Sequence, residues 1–192
     1  LDGSFCVFDT ETTGLDPATD FLTQIGAVRV ENGTITEHFS TFVHPGKPIL
    51  SRVVELTGIT DSMVANAPSE ADALRSFQEF AGSSILAAHN ASSFDMLFLQ
   101  NTARRSGIEW NPTYIDTLTM AQALFPGLGN YKQPSLYKHL ELGAYNAHRA
   151  DADAGALGEI FCVMLKDLQE KQITSTAQIN TELGGSREVL KK

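Results

Sequence analysis

The chain alternates between stretches with strand character and stretches with helical character. Phe5-Cys6-Val7-Phe8 is an unbroken apolar run that stops at Asp9, which predicts a short buried strand. Ile25 to Val30 and Phe39 to Val43 predict two more, with Asn32-Gly33 between them as a hairpin signal. From Ser51 to Ala81 the pattern becomes helical, and Pro68-Ser69 opens a helix carrying Leu74, Phe77 and Phe80. Ser84 to Ala88 predicts a buried strand, Phe94 to Arg105 a helix, and Tyr114-Ile115 a short strand followed by a helix through Met120 and Leu124. Pro126-Gly127 and Gly129-Asn130 mark a loop. Ser135 to Leu142 predicts a short helix. Ala150 to Gln169 predicts a long one, with Ala154, Leu157, Phe161, Met164 and Leu168 on one face. Strands come first and then alternate with helices, so the expected class is α/β with a mixed sheet: an antiparallel meander plus parallel strands, flanked by helices. After Lys171 the chain turns polar. The expected organisation is one domain over residues 1–170 and a linker, or the start of a following domain, over 171–192.

Composition narrows this picture. The 192 residues are 42% hydrophobic and 19% charged, enough to build one packed core. No apolar run approaches the roughly 20 residues that cross a bilayer, so no membrane partner is expected and the expected location is cytoplasmic. The chain opens at Leu1 without Met, as a domain cut from a longer protein would. Cys6 and Cys162 sit among apolar neighbours and are expected as buried free thiols, and no Cys or His pair has zinc-ligand spacing. The net charge of −9 argues at first against a nucleic-acid partner.

Three acidic features carry chemistry. In Asp9-Thr10-Glu11-Thr12-Thr13-Gly14, two acids two positions apart at a strand end point to the same face. Like charges so placed repel unless a cation lies between them, although the Thr-Thr-Gly that follows also suits a polar strand-to-turn junction. Asp95 stands among the apolar residues Phe94, Met96, Leu97, Phe98 and Leu99. It suits a helix N-terminus, where the dipole favours negative charge, and equally suits an inward-facing ligand. In His148-Arg149-Ala150-Asp151-Ala152-Asp153, Asp153 borders the buried face of the long helix and His148 precedes that helix in a loop. Hydrolysis of a phosphodiester needs activated water and neutralised phosphate charge, which two divalent ions about 3.5–4 Å apart supply. Mg²⁺ prefers hard oxygen ligands, so a few carboxylates suffice. A histidine can accept the proton of the attacking water.

In this order, Asp-x-Glu, then Ala-His-Asn followed by Phe-Asp, then His-x₄-Asp, the chain resembles the DnaQ-type exonuclease superfamily in its histidine subclass, DEDDh. The tyrosine subclass does not match, because position 149 is Arg. Glu55 to Met63, Ala87 to Ser92 and Ile115 to Leu118 are similar to the exonuclease portion of PolC-type replicative polymerases of low-GC Gram-positive bacteria, and so is the polar C-terminal stretch. Phe125-Pro126-Gly127 with His148 to Asp151 also resembles the exonuclease part of DinG-type proteins.

The resemblance implies a ribonuclease-H-like fold and a 3′–5′ exonuclease that releases nucleoside 5′-monophosphates. Its implied catalytic set is Asp9, Glu11, Asp95, His148 and Asp153. Asp9, Glu11 and Asp153 would hold the metal that binds the nucleophilic water, Asp9 would bridge to a second metal joined by Asp95 through water, and His148 would be the general base. The implied cofactors are two Mg²⁺ ions, with Mn²⁺ also active; two such ions would cancel the four acidic charges of the site. Backbone groups of Thr10, Thr12 and Thr13, together with Leu56, Thr57, Asn90 and Phe94, match substrate-facing positions. The implied partners are a single-stranded or frayed 3′ end of DNA and the rest of a polymerase chain or replisome, with proofreading as the role. A DinG-type context, an RNA-trimming exonuclease and an inactive nucleic-acid-binding module are the alternatives. Two departures stand out. Ser92-Ser93 adds one residue between His89 and Asp95, expected to be absorbed between Asn90 and Ser93 with the helix starting at Phe94, and Gln24 stands where relatives carry Glu.

Overall fold

The apolar run at the start of the chain becomes β1 (Ser4–Thr12), which continues three residues past Asp9. In the computed structural model, which describes residue 1 and residues 3–192, β1 pairs antiparallel with β2 (Leu22–Glu31), and β2 antiparallel with β3 (Thr34–Phe42). On its other edge β1 pairs parallel with β4 (Ile85–Ala88), and β4 parallel with β5 (Tyr114–Asp116). A final short strand, β6 (Leu190–Lys191), runs antiparallel to β5, giving the order β3-β2-β1-β4-β5-β6. The expected mixed sheet is therefore present, with the meander of β1–β3 on one side and the parallel pairings on the other.

Helices cover both faces. α3 (Glu70–Ala81) and α4 (Asp95–Ser106) cover one, and α5 (Thr117–Leu124), α6 (Gln133–His139), α7 (Ala150–Glu170) and α8 (Thr176–Leu183) the other. Phe5 and Val7 of β1 pack with Leu157, Phe161 and Met164 of α7; Cys6 and Phe8 pack with Phe77 of α3 and Phe98 of α4. A strand buried on both faces has no polar side to expose, which is why its sequence is continuously apolar. Leu157, Ile160, Phe161, Met164 and Leu168 are fully buried on α7, together on the order of 10 kcal/mol of apolar burial. α7 lies tight on β2. A Cβ at Gly26 would collide with the Ala150 carbonyl, and one at Gly158 would stand 2.5 Å from Val28 Cγ2, so glycine sets the helix-to-sheet distance at both ends of the contact.

The helical stretch from Ser51 to Ala81 is three helices: α1 (Ser51–Thr57), α2 (Asp61–Val64) and α3. Gly58 stops α1 in the left-handed conformation (φ 71°), and the Ser69 side chain caps α3 as its position predicted. The reading of residues 171–192 as a linker is corrected. Ile173, Ile179 and Val189 are buried in the same core as Met120 and Phe161, and β6 extends the sheet. The Asn180 side chain accepts from Val189 N and Leu190 N at 2.8 and 2.9 Å and donates to Leu190 O, tying α8 to β6. Cys6 is a buried free thiol as expected, whereas Cys162 is only partly covered.

Candidate active site

Alternation along β1 decides where the chemistry goes. Odd positions face α7 and even positions face α4, so continuing past Phe8 sends Asp9 and Glu11 toward α7 and Thr10 toward α4. Asp153 waits on the first turn of α7. One carboxylate oxygen from each of Asp9, Glu11 and Asp153 lies within 4.8 Å of the other two. Asp95, at the first turn of α4 and 3% exposed, meets Thr10, whose N–H and hydroxyl both donate to its Oδ1 at 3.2 and 2.5 Å.

The electrostatics are those of crowded, buried carboxylates. Burial first, then Asp95, Glu11 and Asp153, pushes the Asp9 carboxyl well above its ordinary range. Burial and the charges of Asp153 and Asp95 push Glu11 up to about 8, against a small opposing pull from Arg149. Burial pushes Asp95 up to about 7 despite the two Thr10 hydrogen bonds. Asp153 is raised by burial, with the His148 N–H working the other way. Among the described residues no lysine or arginine forms an ion pair with any of the four. Three carboxylate oxygens within 4.8 Å of one another are close enough to converge on a single ion by side-chain rotation. The donor set is all oxygen, which suits a hard divalent cation, and the residues present fit one.

His148 is exposed and adopts a left-handed backbone (φ 73°), and its N–H donates to Asp153 Oδ2 at 2.9 Å. The histidine is thus fastened to the acidic site through its backbone while the imidazole is free to face solvent. The next residue, Arg149, sends Nε to Thr57 O at 3.3 Å and lies over the Phe42 ring. That contact brings the C-terminus of α1, with the 57%-exposed Leu56 and the buried Thr57, to the edge of the site.

The extra residue before Asp95 is taken up in a turn of 3-10 helix, Ala91–Ser93, between Asn90 and the start of α4. The helix begins at Asp95, one residue later than expected, and Phe94 precedes it with φ −140° and ψ −81°, outside both helical and extended backbone, against the Phe98 ring at 4.8 Å. Asp95 is aimed at Thr10 regardless. Asn90 is exposed with φ 58°. The hydroxyls of Thr12 and Thr13 are used within the fold. The Thr12 hydroxyl donates to Gly14 O at 2.6 Å. Thr13 is fully buried, its N–H going to Phe21 O and its hydroxyl to Asp20 Oδ1. Both spend their side chains on the turn after β1.

Several supporting contacts lay beyond the sequence reading, which had marked Gln24 only as a departure from relatives and Asp116 only within a stretch of resemblance. Gln24, beside Glu11 in the sheet, accepts the Ala150 N–H at 3.0 Å and so caps α7 from across the fold. Asp116 accepts from Asn90 N, Ser92 N and Ser92 Oγ, which fixes the turn before Asp95. Gln133 Nε2 donates to Asp153 O at 2.7 Å. Asp116 had a local signal: an acid between a strand and a helix, capping Leu118 N. Gln24 was marked only as a departure from relatives, with nothing to show its partner, and Gln133 had no signal.

Comparison with known proteins agrees with this geometry. The RNase_T family model, described as exonuclease, matches residues 6–161. The chain is 44% identical over 183 residues to DNA polymerase III PolC-type of Caldanaerobacter subterraneus subsp. tengcongensis, and 40% identical over 187 residues to that of Bacillus subtilis. Both alignments cover 95% of this chain and 13% of the relative, so the chain spans about an eighth of these polymerases. Exonuclease X, solved in complex with 5′ overhanging duplex DNA, superposes with a TM-score of 0.68 at 29% identity, covering 84% of this chain and 91% of that one. The zinc-bound E. coli Exonuclease I–single-stranded DNA complex gives 0.77 at 22% identity over 90% of this chain and 42% of the other, a likeness of fold.

Proposed function

This chain belongs to the RNase_T exonuclease family, and from that premise we propose that it removes nucleotides one at a time from the 3′ end of DNA, as the proofreading part of a PolC-type polymerase in the bacterial cytoplasm. The observation that carries the reading is the convergence of Asp9, Glu11 and Asp153 from two elements onto one point, with Asp95 beside them. Asp9, Glu11 and Asp153 would hold a divalent ion, and Asp9 with Asp95 a second, both Mg²⁺ in the cell. When bound, such ions lower the pKa of water and neutralise charge on the phosphate.

The chain's own residues do the rest. Thr10 holds the Asp95 carboxylate in place through two hydrogen bonds. Gln24 and Gly26 seat the first turn of α7, so Asp153 stays over β1. His148 accepts the proton of the attacking water on a ring nitrogen and passes it to solvent, for which an exposed imidazole is suited. Leu56 and Phe94, apolar and incompletely covered, offer surfaces for the terminal sugar and base, with Asn90 near the strand and the β1 backbone at Thr10 beside it. A mismatched 3′ end reaches such a site more readily because unpairing it costs less. All of these residues lie within 1–170, and Ile173, Ile179 and Val189 complete the core beneath them. Among the described residues no helix is long and apolar enough to cross a membrane.

The test is a time course on 5′-labelled single-stranded DNA, with Mg²⁺ or with EDTA, beside the same strand as RNA. A ladder shortening from the 3′ end only with metal, and faster on DNA, supports the reading. No shortening at saturating Mg²⁺ refutes catalysis and leaves a binding module, and a preference for RNA refutes the polymerase role.

A further inference from the structure

One buried polar group beside the acidic site has no role in the account above. The Tyr145 hydroxyl is shielded from solvent and makes no hydrogen bond of good geometry, although the Asp153 carboxylate and the Gln133 side chain lie within its reach. It faces the Asp153 carboxylate and the Gln133 side chain, with Asp9 beyond. Gln133 itself holds the Asp153 carbonyl, so these groups share one small space. A buried hydroxyl left unpaired costs about 1–3 kcal/mol. Phenylalanine would avoid that cost and fill the same volume. The ring is well seated: it meets Tyr137 edge-on at 5.0 Å, and the Tyr137 hydroxyl is in turn bound to Glu159 of α7.

The position of Tyr145 in the chain gives the hydroxyl a purpose. It sits in the connection between α6 and α7, three residues before His148. That connection bends through left-handed backbone at Glu141 (φ 58°), Gly143 (φ 108°) and His148 (φ 73°). Left-handed backbone at a residue with a side chain is uncommon, and persists where surrounding contacts fix it. Two contacts fix the far end of the loop, His148 N–H to Asp153 and Arg149 to Thr57. Between Leu142 and His148, the ring of Tyr145 is the anchor.

We propose that Tyr145 is a positioning residue: its hydroxyl donates to the Asp153 carboxylate when that carboxylate holds a cation, locking the loop of His148 onto the metal site. The inference rests on the proposed function of that site. The carboxylate then receives the His148 N–H and the Tyr145 O–H while facing the cation with a remaining lone pair. Partners of this kind around metal ligands are worth about 10–100-fold in affinity or activity.

Tyr145→Phe removes one oxygen and should fold. Four quantities are read on the purified chain: the Kd for Mn²⁺ by calorimetry, kcat and KM on single-stranded DNA, and Tm in EDTA. The expected result is about tenfold weaker Mn²⁺ binding and about tenfold lower kcat, with KM within twofold of wild type. The Tm in EDTA should be unchanged or raised, because the lost hydroxyl was unpaired there. Tyr145→Leu, which loses the ring, should lower Tm and marks what a structural defect looks like. Wild-type Mn²⁺ affinity and kcat in Tyr145→Phe would overturn the inference, and so would losses that come with a drop in Tm like that of Tyr145→Leu. If the wild-type chain itself binds no Mn²⁺, it is the reading of the acidic site that fails instead.

Discussion

Without metal, this protein should lose stability as the pH rises through neutrality, the reverse of what salt-bridged carboxylates give. In the folded chain Asp95 titrates at about 7 and Glu11 at about 8, while in the unfolded chain both titrate near 4. Between those limits the native state binds more protons than the unfolded state, so stability falls with pH by about 1.4 kcal/mol per pH unit for each extra proton held. The full benefit is present below about pH 4 and is gone above about pH 8. From pH 6.5 to 8.5 the two groups together lose on the order of 2–3 kcal/mol, an upper figure because Glu11 is partly in contact with solvent. For a chain of this size that is a fall in Tm of about 4–10 °C. The assay is thermal unfolding by circular dichroism across this range in EDTA, repeated in saturating Mg²⁺. With Mg²⁺ the slope should flatten or reverse, since the ion binds the ionised carboxylates and stabilises by mass action. A Tm in EDTA that is flat or rises from pH 6.5 to 8.5 would refute the reasoning, for it would mean that the carboxylates are not crowded in the folded protein.

Other outcomes follow from the same geometry. His148→Ala should lower turnover by roughly 10²–10⁴-fold. Mn²⁺ binding should survive in that variant, because only the backbone of His148 touches Asp153; calorimetry checks this, and loss of binding would make His148 a ligand. Asp95→Asn should be severely impaired in hydrolysis, whereas deleting Ser93 should leave near-normal activity, since the 3-10 turn before α4 can shorten cheaply. Comparing the two rates on one substrate decides it, and a silent Asp95→Asn would count against the role. Ending the chain at Glu170 should destabilise it by several kcal/mol or prevent folding, because Ile173, Ile179 and Val189 leave the core; chemical denaturation of the shortened chain measures the loss.

What could be read from the sequence was local. The run Phe5 to Phe8 announced a strand buried on both faces, and its two-residue period carried Asp9 and Glu11 to one face without further information. The long helix bearing Asp153 was equally plain in its apolar stripe. Asp95 was harder, because one inserted residue inside a helix would have turned it away by ~100°. The structure absorbs that residue in the turn that Asp116 holds. Contacts across long sequence separations left no local trace. Thr10 on Asp95, Gln24 on Ala150 and Gln133 on Asp153 join segments that only the sheet brings together. The C-terminal segment was misread for a related reason. α8 buries Ile179 fully and little else, β6 is two residues long, and both depend on a core already built by α5 and α7.

The most direct test of the central claim is the chemistry of the first product. A strand carrying a radiolabelled phosphate at its last internucleotide linkage is incubated with the protein and Mg²⁺, and the early products are resolved against nucleotide standards. Attack of water at the phosphate of the terminal nucleotide predicts labelled nucleoside 5′-monophosphate from the first seconds, and none from Asp9→Ala under the same conditions. Labelled nucleoside 3′-monophosphate, label released only within longer fragments, or undiminished release by Asp9→Ala would each contradict an exonuclease built on these carboxylates.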